Sequence, residues 1–104
     1  MSIKDAIKAE IKEKINELRR VQSLVEVQRG TVKLAERAYQ IANVRYKEGA
    51  GNQLEIQDTD IALRNARLNL TQSIHSYIIT KFELERLLGR TSMDYLSVVN
   101  KQED

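Results

Sequence analysis

The constraint that decides most about this chain is its punctuation. A breaker cluster of Gly49, Gly51 and Asn52 stands near the middle, and the next strong breaker is Gly89. On either side of the cluster lies a long stretch without proline and with helical periodicity. The minimal reading is a long helix over about 3–47, a tip turn over 48–53, a second helix over about 54–88 and a short tail over 89–104. Gly89, after Leu87 and Leu88, is expected to stop the second helix. Thr91 to Asp94 has the spacing of a capping box for a further turn, and the last residues are expected to fray. Each arm would run roughly 60 Å at 1.5 Å per residue. A two-helix hairpin buries little surface by itself, so the chain is expected either to self-associate or to belong to a larger protein.

Apolar spacing makes that expectation specific. In the first arm Ile11, Leu18, Val25, Val32, Tyr39 and Tyr46 recur every seven residues, with Val21, Ala35 and Ala42 completing a 3/4-spaced seam. A second stripe runs beside it through Leu24, Val27, Leu34, Ala38 and Ile41. The earliest turns, through Ile3, Ile7, Ile11 and Ile15, carry many Lys and Glu and are expected to be more exposed. In the second arm Ile56, Leu63, Leu70, Tyr77 and Leu84 form one row, filled in by Ala66 and Leu87. Leu54, Ile61, Leu68, His75 and Phe82 form another, displaced by roughly 160–200° at about 100° per residue. A helix with one partner needs one seam. Two seams on each helix predict neighbours on two sides, as in a bundle or a closed helical wall.

Charge and composition exclude several classes. The 104-residue chain has no cysteine, which rules out disulfides and thiolate metal sites. No apolar run nears the roughly 18 residues needed to span a bilayer, and the charged start is no signal peptide. Net charge is +2. Residues 1–47 hold eleven Lys/Arg against six Asp/Glu, and residues 48–104 hold six against nine, so the arms have opposite bias. That bias favours antiparallel pairing of the arms or packing against further copies. The bases alternate with acids rather than forming a stripe with aromatics, which argues against nucleic-acid binding. The single histidine, His75, lies on an apolar row and reads as a partly buried filler, with no ligand pair at helical spacing. Glu55 and Asp58 sit at i,i+3 on the opening turn of the second helix, without the third partner an acid–base site needs, and suit the helix dipole. No nucleophile elbow or phosphate loop is present, so neither an enzyme nor a cofactor site is expected.

Set in order, Tyr46-x-x-Gly49, then Leu54, Glu55, Ile56 and Asp58, then Ala66, Leu68, Asn69, Leu70 and Tyr77, and finally Leu84 to Gly89, resemble the TolC-type outer membrane efflux channel family. The likeness is strongest from about Val32 to Gly89. Members of that family are trimers in Gram-negative bacteria, with strands in an outer membrane β-barrel and long helices in a periplasmic α-barrel. The resemblance implies that this chain is one periplasmic helical hairpin of such a channel for efflux or type I export, excised from its parent and soluble, with Met1 and Ser2 added at its start. It implies that Gly49, Ala50, Gly51, Asn52 and Gln53 form the entrance tip that docks onto a periplasmic adaptor (membrane fusion) protein, linked to an inner membrane pump. Tyr46 would join the network holding the entrance closed, and Glu55 and Asp58 would line the pore as an acidic ring, their alternative role being the dipole one. Gly51 stands where some members carry a basic gating residue, so a salt-bridged lock there is not expected. Gln57 and Thr59 also depart from the usual Leu and Ala, and no strands or second hairpin follow. The alternative is a stand-alone helical hairpin, a scaffold or an adaptor-type coiled coil; the tip lacks the Arg and Ser that adaptor arms carry.

Overall fold

The computed structural model describes residues 2–102, with side chains described through residue 93. It contains two helices, α1 (Ile3–Lys47) and α2 (Gln53–Gln102), and no strand among the described residues. The fold is all-α, a long two-helix antiparallel hairpin. Ser2 caps α1: its Oγ accepts from the Asp5 N–H at 3.3 Å, and Asp5 adds a negative charge to the first turn. Arg45 and Lys47 occupy the last turn, where cations favour the carbonyl end of the dipole.

Packing divides the chain into two compact units, Gln22–His75 and Met1–Val21 with Ser76–Asp104. In the first, Val25, Val32 and Ala42 of α1 are buried, as are Leu63, Ala66 and Ser73 of α2. Val32, Leu63 and Ala66 form the centre of this core, with Ala35, Tyr39 and Leu70 packed against it. Arg67 of α2 reaches Glu36 of α1 at 3.8 Å on its edge. In the second unit Val21 and Thr80 are buried, and Ile11, Leu18, Tyr77, Leu84 and Leu87 are half-buried. Ile7 and Ile15 are half-buried too, whereas Ile3 is 82% exposed, so the exposure expected of the first turns holds at Ile3 and not beyond it. Lys14 holds Glu83 of α2 at 2.6 Å and Glu17 at 3.3 Å. The Glu83 hydrogen bond, followed by the Glu17 one, raises the Lys14 ammonium above the usual lysine range.

The inner seam is the one the spacing predicts, and it is longer than the apolar residues alone reveal. Continuing the 3/4 count through Lys14 and Gln28 on α1, and through Thr59, Ser73, Thr80 and Thr91 on α2, meets half-buried or buried positions throughout. The hydroxyls of Thr59, Ser73 and Thr91 bond back to their own helix. Ser73 Oγ donates to the Leu70 carbonyl at 2.7 Å, and Thr59 Oγ1 lies 2.8 Å from the Glu55 carbonyl.

Two expectations about the second helix are corrected. Its end is not at 88: α2 runs through Gly89 to Gln102. Gly89 keeps a helical backbone, since Gly49 is the described glycine with positive φ. An interior glycine weakens a helix by roughly 1 kcal/mol without ending it. Thr91 is accordingly no cap; its hydroxyl donates to the Leu87 carbonyl at 2.9 Å inside the helix. Fraying is expected from Asn100 onward; Asn100 to Gln102 instead continue the helix, and residues 103–104 lie outside the described residues. Secondly, His75 is exposed rather than a partly buried filler, because its row faces away from α1.

That outer row and its counterpart on α1 remain uncovered. In the Gln22–His75 unit Val27 is 63% exposed, Leu34 72%, Leu54 62%, Ile61 58% and Leu68 55%. Total accessible surface is 8474 Å², against roughly 6,000 Å² expected from mass scaling for a folded monomer of this size.

Candidate functional site at the interhelical turn

The turn spans residues 48–52, so Gln53, expected within it, is instead the first residue of α2. The chain leaves α1 through a Schellman arrangement. The Gly49 N–H donates to the Tyr46 carbonyl at 3.0 Å and the Ala50 N–H to the Arg45 carbonyl at 2.9 Å. Gly49 is the residue in the left-handed region, at φ 77°, where a Cβ is strongly disfavoured. Asn52 then caps α2, its Oδ1 accepting from the Glu55 N–H at 2.9 Å.

Gly51 does a different job from Gly49. Its φ is not positive, and the Gly51 N–H donates to the Arg45 carbonyl at 3.1 Å. A Cβ on it would lie 3.1 Å from Glu55 Oε2, 3.2 Å from Arg45 Cβ and 3.3 Å from the Tyr46 nitrogen. The bare glycine therefore lets Arg45 and Glu55 approach across the turn, where Arg45 Nη1 lies 3.8 Å from Glu55 Oε2. A basic residue at position 51 is absent, yet a cross-turn ion pair forms from position 45 instead. Sequence reading missed this role of Arg45. The usable signal was a basic last turn on α1 facing an acidic first turn on α2 across only a few residues.

The other expected site residues fall around this pair. Tyr46 is half-exposed in the last turn of α1. Glu55 is half-buried, and Asp58, one turn further along α2, is exposed. Beside the turn, Arg37, Gln40, Ile41, Val44 and Arg45 line a shallow groove on the exposed side of α1. The region is thus a rigidly capped turn with a charged pair at its base and apolar flanks. Among the described residues there is no group of three or more metal-ligating side chains, and no helix is long and apolar enough to cross a membrane.

The family model described as "Outer membrane efflux protein" matches residues 6–90, covering most of α1, the turn and α2 to just past Gly89. No curated protein matches the chain, and no solved structure does. The family is one of transport channels of the outer membrane rather than of enzymes, and a match over well over half the sequence places this chain in the outer membrane efflux protein family.

Proposed function

We propose that this hairpin forms the periplasmic entrance portion of a TolC-like trimeric outer membrane channel, with its turn docking onto a periplasmic adaptor protein. The observation that carries the reading is the division of apolar surface within a chain of this family. One seam closes the hairpin, and a second stripe on each helix stays exposed from the turn downward. A helix in a closed wall needs a neighbour on each side, and the outer stripes supply the faces for them.

In this arrangement residues 49–53 present the adaptor-docking surface, held in shape by Gly49 and the Asn52 cap. Tyr46 contributes to the closed entrance. Three copies of Glu55 and Asp58 surround the pore with acidic charge, which attracts cations and resists closure. Arg45 offsets part of the Glu55 charge, so Asp58, exposed and one turn away, carries more of the ring's field. The pump beyond the adaptor selects the transported molecule.

A photo-cross-linking residue at Gln53, in the protein expressed in its own cell envelope, tests the docking. The expected product is an adduct with a periplasmic adaptor, absent when the probe stands at Lys12. Equal labelling from both positions, or no adaptor adduct from Gln53, overturns the reading.

A further inference from the structure

We propose that Arg45 is a positioning residue for ion selectivity at the entrance, where it draws the Glu55 carboxylate into an ion pair within its own chain and so sets how much acidic charge reaches the pore. The proposal rests on the reading that Glu55 and Asp58 face that pore. The fold treats these two carboxylates, one turn apart on α2, differently. Glu55 Oε2 lies 3.8 Å from Arg45 Nη1 across the turn. Asp58 is exposed and makes no ion pair among the described residues.

The turn anchors the backbone at both ends of the pair. The Arg45 carbonyl accepts from the Ala50 N–H at 2.9 Å and from the Gly51 N–H at 3.1 Å. The Glu55 N–H donates to Asn52 Oδ1 at 2.9 Å, and Thr59 Oγ1 lies 2.8 Å from the Glu55 carbonyl. Exposed ion pairs usually gain little because two long side chains must be ordered to make them. Here the two residues already face each other across a capped turn, so only the side chains remain to be ordered. Gly51 sits between them. A Cβ there would meet Glu55 Oε2 at 3.1 Å and Arg45 Cβ at 3.2 Å, so an uncharged substitution at position 51 disturbs the pair without removing either charge.

The test measures the reversal potential of the assembled channel in planar bilayers under a potassium chloride gradient. Arg45→Gln is expected to raise the potassium-over-chloride permeability ratio roughly twofold, the order expected of one unmasked unit charge acting through water. Arg45→Lys is expected to stay near the wild-type ratio, and Gly51→Ala to raise it by less than Arg45→Gln does. In a Glu55→Gln background the Arg45→Gln shift is expected to be smaller, because no carboxylate is then released. Equal shifts with and without Glu55 would mean that Arg45 acts by its own charge alone, and would overturn the proposal. A ratio lowered by Glu55→Gln and Asp58→Asn but unmoved by Arg45→Gln overturns it too, as does a Gly51→Ala shift toward chloride. A ratio that Glu55→Gln and Asp58→Asn both leave unchanged contradicts the pore reading and the proposal with it. The Gln53 cross-link is independent of each of these results.

Discussion

At the scale of single residues, the turn is specified by three positions with three physical roles. Gly49 supplies a left-handed backbone, Gly51 supplies space and Asn52 supplies an acceptor for an otherwise unpaired N–H. Sequence alone marked all three as breakers. It could not divide the roles, because φ and close approach leave the same signature, an absent side chain. The division has a consequence. Gly49→Val forces a β-branched residue to φ 77° and is expected to destabilise by at least about 1–2 kcal/mol, the cost of left-handed backbone for an L-residue. Gly51→Ala keeps an allowed backbone and asks Arg45 and Tyr46 to yield by a few tenths of an ångström, so its cost is expected to be smaller. Chemical denaturation of the two variants checks the order; equal losses would mean that Gly51 is also needed for its backbone.

At the scale of helices, the seven-residue rows made the architecture legible. Leu63 and Leu68 have the same side chain five residues apart, yet Leu63 is 5% exposed and faces α1, whereas Leu68 faces outward. Leu63→Ala is expected to cost about 2–3 kcal/mol, toward the low end for buried leucine because the seam is a single layer open on both flanks. Leu68→Ala is expected to change chain stability little when measured on the dilute chain. Urea midpoints of the two variants make the comparison, and a large loss for Leu68→Ala would mean that the outer row is already covered. What the rows hid were the polar seam members, since Lys14, Gln28, Ser73 and Thr80 break an apolar pattern while keeping its spacing. The helix end was misread because Gly89 has the look of a left-handed cap, whereas its backbone is helical and the helix runs on to Gln102.

Lys14 belongs to the same scale, as the seam's charged member. Its ammonium is raised by the hydrogen bonds to Glu83 and Glu17. A raised folded-state value means the stabilisation is fully present below the ordinary lysine value of about 10.4, and is lost as pH rises through the folded one. The stability advantage of the wild type over Lys14→Met is therefore expected to be constant across neutral pH and to shrink on the alkaline side of that value. Thermal melts on both sides of it read this out; an advantage unchanged at the alkaline end would show that the lysine stem, not its charge, matters.

At the scale of the whole molecule, the informative quantity is apolar surface left over after the hairpin has formed. The two-stripe spacing predicts that surplus, and the exposed outer rows display it. The family match places the chain in an outer membrane efflux protein family, and the proposal above gives that surplus surface a role in the channel wall.

The most direct measurement uses the absence of native cysteine. Leu34→Cys, expressed in the cell envelope, is labelled with a water-soluble maleimide in the isolated outer membrane fraction and again after unfolding in detergent. The protein is expected in that fraction, its thiol reacting at least tenfold more slowly there than when unfolded. A thiol equally reactive in both, or a protein missing from the outer membrane fraction, would contradict the claim that the outer stripe is the face of a channel wall.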